Sequence, residues 1–164
     1  MTASTGPVAI PALYRCIFLW VEPCSIMAGA VCAACFQTTY LDLTMHAPSA
    51  PDGLSLTPIS TKIVLSQLAN MYLGLAFLEA AVLRATADVN VWQTFLVVLL
   101  LADVGHLCSL LPLGADVYWA FWRWNAMDIG NIPFVYFLAA TRICLLARVG
   151  FGHGHGQQAK VRRD

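Results

Sequence analysis

The chain has 164 residues, enough for one domain, yet 59% are hydrophobic, only 11% are charged, and the mean hydropathy is +0.70. Soluble domains run near a quarter charged, so water is the wrong solvent for this composition. Nine basic and nine acidic residues cancel, which leaves no basic field to hold nucleic acid and no acidic tail to mimic it.

The opening stretch MTASTGPVAIPALYR has no basic n-region leading into a short apolar core and cleavage site, so the first apolar run is expected to be kept as a span. A bilayer-crossing helix needs about 20 mostly apolar residues, because no backbone amide goes unpaired in hydrocarbon. Four segments meet that test: 12–36, 63–85, 91–111 and 127–149. The expected fold is therefore all-α, an integral membrane four-helix bundle occupying residues 1–150, followed by a polar tail, 151–164, whose glycines and histidines predict disorder.

Between the first two segments, HAPSAPDGLSLTPIS carries the Pro, Gly and Ser that stop a helix and mark an exposed loop. A tight turn around Asp88 and Asn90 joins the second to the third. The third and fourth are joined by PLGADVYWAFWRWN, where Tyr118, Trp119, Trp122 and Trp124 crowd together. Such aromatics favour the headgroup zone, which reads as an interfacial belt or alternatively a lid. Arg15, Arg84, Arg148, Lys160, Arg162 and Arg163 fall on the side of both termini, against Lys62 and Arg123 opposite. The positive-inside rule then puts both ends in the cytosol.

The six cysteines lie within apolar runs and are expected to pack as small hydrophobes; the CxxC of Cys32 and Cys35 lacks the second pair a zinc site needs. No metal or other cofactor is expected.

Ionisable groups inside a span cost a few kcal/mol each, so they face inward, pair, or carry function. Glu22, followed by Pro23, lies in the first span, Glu79 in the second, Asp103 and His106 in the third, and Arg142 in the fourth. Counting rise from the termini side, Glu79 and Arg142 both lie about 9 Å in, which suggests a salt bridge. Glu22 at about 15 Å and Asp103 at about 18 Å come together near the midplane without an obvious cation. Two such acids cannot both ionise, and the carboxyl that keeps its proton is a proton donor. His106, one turn from Asp103, is placed to share that proton. Trp20, Met71, Tyr72, Phe77 and Phe137 would line the surrounding cavity, with Asn70 adding an amide. Asp128 and Asn131 would either ring its upper part or cap the fourth helix.

A water-poor pocket with one protonated and one ionised carboxyl can protonate an alkene or an epoxide and take a proton back from carbon. Aromatic faces stabilise the cation between those steps. The substrate would be a lipophilic small molecule of isoprenoid type, reached from the membrane lipids.

The motifs LWVEPCS, SQLANMYLGLAFLEAAV and WNAMDIGNIPFVYFLAATR, with an Asp in the third span, resemble a family of small fungal four-helix membrane proteins and, more distantly, the emopamil-binding/sigma-2-receptor superfamily. That resemblance implies a sterol double-bond isomerase using buried acids, or relatives that bind cationic amphiphiles, with Glu22 and Glu79 in the acid roles. The fourth span departs from the superfamily's usual aromatic and acidic spacing, which leaves sterol specificity open. The leading expectation is a membrane-embedded acid/base enzyme of fungal secondary metabolism, an epoxide-opening terpene cyclase or a double-bond isomerase. Glu22 would donate, Asp103 with His106 would accept, and Arg142 would fix Glu79. The alternatives are a non-catalytic sterol- or lipid-binding membrane protein and a structural one. The endoplasmic reticulum is the default address, and a homodimer is allowed.

Overall fold

The computed structural model describes residues 9–46 and 57–151. Among these, every regular element is helical, and four helices are long and apolar enough to cross a membrane: Ala12–Cys35, Ile59–Ala85, Val89–Leu113 and Ala126–Leu146. The second begins four residues earlier than its sequence pattern suggested, because Pro58 supplies the extended residue from which a helix starts. Much of the loop after the first span, and the tail beyond Phe151, lie outside the described residues.

The spans form two antiparallel hairpins. The first and second approach closely through small residues, with Ala30, Ala33, Ala69 and Ala76 buried between them and the Tyr72 ring 3.6 Å from where a Cβ on Gly29 would sit. Small side chains let helix backbones come together in this way. The third and fourth spans form the other hairpin. Asp88 caps the third by accepting from the Asn90 amide at 2.8 Å, as the Asp–Asn turn implied.

One apolar core joins the hairpins. Phe18, Leu83, Trp92, Leu96 and Leu145 are its most buried members, and it fills the end where Ile10 and Phe151 emerge. There the Tyr14 hydroxyl donates to the Val149 carbonyl at 2.8 Å. Both ends of the described chain therefore share one side of the bundle.

At the other end, the first span stops at Phe36 and a nine-residue helix, Gln37–Met45, runs on from it. This strap had no counterpart in the sequence reading. It crosses to the start of the fourth span, where the Asn125 amide donates to the Leu43 carbonyl at 2.7 Å. The aromatic connection folds as three short 3-10 turns. Tyr118 and Trp124 turn inward against Leu110, Val117 and Ile132, while Trp119, Phe121 and Trp122 remain exposed.

Candidate functional site

Each of the four spans places one ionisable side chain at the same buried spot: Glu22 at 3% exposure, Glu79 at 0%, Asp103 at 9% and Arg142 at 1%. The Arg142 guanidinium is bonded through one terminal nitrogen to Glu22 and through the other to Asp103. The Phe18 ring lies 5.8 Å from its carbon, within cation–π range.

This arrangement corrects the pairing expected from depth alone. Depth alone pairs Arg142 with Glu79 and leaves Glu22 and Asp103 without a cation. Counting rise per residue omits the lean of side chains toward their own helix N-terminus. The fourth span runs toward the termini side, so Arg142 leans away from that side, to the level of Glu22 and Asp103. Those two sit on spans running the other way and lean down to meet it. Glu79 leans the same way as Arg142 and reaches the Glu22 carboxyl.

Glu79 makes no direct ion pair among the described residues. Neither of its oxygens receives a hydrogen bond from an N–H or hydroxyl group of the described residues. Its polar neighbour is the Glu22 carboxyl, near enough to share a hydrogen; two carboxyls bond only when one carries a proton. Three acids thus surround one guanidinium.

The local backbone explains how Glu22 is aimed. Pro23 has no N–H for the Leu19 carbonyl four residues back. The helix widens into a π turn at Ile17–Val21, with the Glu22 amide bonding to the Ile17 carbonyl. Such bulges recur at functional sites. Arg84 of the second span donates to the Leu19 carbonyl at 2.7 Å and stacks on Trp20 at 4.7 Å. Sequence reading missed Arg84, although a carbonyl four residues before a helical proline signals the need for an outside donor.

Other expected site residues lie elsewhere. Trp20 is 62% exposed and faces outward under Arg84, so it does not line the cluster. Met71, Phe77 and Phe137 are also exposed, as is Asn70. The inner face of the second span is Leu65, Ala69, Tyr72, Ala76, Glu79 and Leu83. Asn70 and Phe77 stand two residues before members of that face, about 200° around the helix. Tyr72 does point inward, against Gly29 and near Tyr40 of the strap. Burial, then the Tyr72 hydroxyl, holds the Tyr40 phenol above its ordinary range.

His106 does not bond to Asp103. Its ring meets the Asn131 backbone, where the fourth span breaks at Ile132 before Pro133, and its Nε2 is buried without a partner among the described residues. Asp128 caps rather than joining the cluster. Its carboxylate accepts from the Asn125 amide at 2.8 Å in a reciprocal capping box and pairs with His46 at 3.2 Å, tying the strap to the fourth span. His46 escaped sequence reading because it lies 82 residues from its partner. A cavity of about 150 Å3 lies beside this contact, between His46 and Arg123, at the strap end of the bundle rather than at the acids. The cysteines are free and, apart from half-buried Cys32, exposed on helix faces rather than packed inside. Among the described residues no group of three or more His, Cys, Asp or Glu is placed to hold a metal ion.

Fold and site together define an all-helical protein whose four long apolar helices are consistent with an integral membrane protein, closed around a buried acid–guanidinium cluster. The chain belongs to the family described as Domain of unknown function (DUF7704), whose model matches residues 7–153. No curated protein and no solved structure matches it.

Proposed function

We propose that the cluster is an intramembrane acid/base site and that the protein is an enzyme acting on an isoprenoid-type lipid, by epoxide opening and cyclisation or by double-bond isomerisation. The observation that carries this reading is Glu79: fully buried, outside both Arg142 ion pairs, and facing another carboxyl. A purely structural network gains nothing from an unpaired acid, and ionisable groups left so in a membrane mark function.

In this reading Glu79 holds the proton and Glu22, oriented by Arg142, is the carboxylate against which it is held. Protonation of an alkene carbon or epoxide oxygen by Glu79 forms a carbocation. Loss of a proton from a neighbouring carbon to a carboxylate of the cluster restores neutrality, and passage of that proton back to Glu79 resets the site. Substrate and product have equal mass. The substrate enters from the bilayer between the two hairpins on the strap side, since their shared core lies mainly on the other side. Cytosolic termini, residence in the endoplasmic reticulum and a fungal biosynthetic role belong to the same proposal, as does kinship with the emopamil-binding/sigma-2-receptor superfamily.

The test expresses the protein in microsomes, supplies prenylated, epoxidised and sterol lipids, and compares products by mass spectrometry with Glu79→Gln and Glu22→Gln variants. A new isobaric product that disappears in Glu79→Gln supports the enzyme. Full activity in both variants refutes it, and a bound lipid that is never converted transfers the reading to a lipid-binding protein.

One observation favours a structural reading: Arg142 bonds residues of two other spans, and all four spans meet at the cluster. On that account it is a clasp that fixes helix order, and Glu79→Gln changes no chemistry.

A further inference from the structure

The second span carries two heptad stripes on opposite faces. The inner one, Leu65 to Leu83, packs in the bundle. The outer one is Ile63, Gln67, Asn70, Gly74, Phe77 and Ala81, spaced four, three, four, three and four, and every member is exposed. Its members Gln67 and Asn70 set two amides about one turn apart on this outward face.

Two members make this face unsuited to lipid. Asn70 lies about 16 Å from the start of a span some 40 Å long, and Gln67 about 12 Å. Neither amide has a partner among the described residues, and both border a shallow groove of about 380 Å3 that also takes in Lys62 and Ser66. Polar side chains at that depth find partners on other helices. Among the described residues no segment covers them.

We infer that this face is the contact between two copies of the chain, related by a two-fold axis along the membrane normal. Two copies inserted in the same orientation bring identical residues opposite one another at such an axis. An amide is self-complementary, with a carbonyl that accepts and an NH2 that donates. Asn70 therefore bonds to Asn70 of the second copy, and Gln67 does the same a turn away. Gly74, with open space where a Cβ would stand, lets the axes approach, and Ile63 and Phe77 pack at either end. The inner stripe and the acid cluster stay inside each copy.

Donor- and acceptor-labelled full-length protein, reconstituted in liposomes over a range of protein-to-lipid ratios, reads the association by energy transfer. The wild type is expected to dimerise. Asn70→Leu should weaken association about tenfold, the scale of one interhelical amide pair, and Gln67→Leu should do the same. Gly74→Ile tests close approach independently. These positions face outward, so helicity by circular dichroism should stay unchanged, whereas Leu101→Ala on the exposed face of the third span should leave association intact. A monomer at every density, or a dimer indifferent to all three substitutions, overturns the inference.

Discussion

Replacing Arg142 with Met tests the cluster most directly. The change keeps the length and apolar stem of the side chain but leaves Glu22 and Asp103, both nearly sealed from solvent, without their cation. Breaking one buried ion pair by removing a partner costs about 3–5 kcal/mol. Two pairs are lost here, but the total is capped because an uncompensated buried carboxylate takes up a proton instead. At neutral pH that uptake costs about 4 kcal/mol per carboxyl, given its ordinary affinity, so the ceiling for the pair is about 8 kcal/mol. The sign of the pH dependence follows. The folded variant holds protons that the unfolded chain does not, so its stability falls as pH rises and returns on acidification, by about 1.4 kcal/mol per carboxyl per pH unit. Unfolding in bicelles, followed by steric trapping from pH 5 to 8, measures this. Adding Glu22→Gln and Asp103→Asn to Arg142→Met should recover most of the loss, since a neutral hydrogen-bonded cluster needs no cation. A loss in Arg142→Met below about 1 kcal/mol, with no recovery in acid, would refute the reasoning.

Glu79→Gln should leave stability within about 1 kcal/mol of wild type, because its new NH2 donates to Glu22, even though the proposed chemistry is lost; the same unfolding assay separates the two effects. Arg84→Ala should cost about 1.5–3 kcal/mol with Pro23 present, when the Leu19 carbonyl lacks the N–H of residue 23. It should cost clearly less in a Pro23→Ala background, where the backbone supplies an N–H, and a double-mutant cycle on unfolding free energies shows whether the two are coupled. Asp128→Ala removes one half of the capping box and the His46 contact and should cost about 1–2 kcal/mol. Faster hydrogen exchange over Gln37–Met45 should accompany it if the contact holds the strap in place.

The four spans were legible because hydrocarbon imposes a length and a polarity that few other environments do, and because the Asp88–Asn90 turn marks where the third begins; the starts at Pro58 and Asn125 come from the structure. The composition of the cluster was legible for the same reason: a Glu, Asp or Arg within an apolar run stands out. Its wiring was not. Depth along a helix is a one-dimensional count, whereas the partner of Arg142 depends on the lean of its side chain and on the direction of each span. Asn70, Trp20 and Phe77 were misplaced for a related reason: polarity or aromaticity at membrane depth says that a residue needs an environment, not which face provides it. The strap escaped notice because its nine residues are neither apolar enough for a span nor rich enough in Pro and Gly for a loop. Its link to Asp128 joins positions that no local pattern connects.

The distribution of polar groups between the two faces of the second span ties these observations together. Glu79 points inward and meets a carboxyl; Gln67 and Asn70 point outward and meet nothing within the described chain. In water the outer pair would need no explanation, but beside lipid both faces carry a cost that contacts must offset. Inside, a shared proton and the neighbouring guanidinium lower it, which keeps an acid ready at low dielectric. Outside, a second copy lowers it through amide pairs that require no charge. The helix that holds the proposed acid would then also be the helix fixed by dimerisation. If so, loosening the dimer at Asn70 should alter the Arg142-centred cluster little in structure, yet lower the stability with which the second span holds Glu79 against Glu22. Comparing the unfolding free energy of Asn70→Leu above and below the protein density at which wild type dimerises decides the point. A deficit present only above that density ties the outer face to the inner one, and an equal stability at both densities separates them.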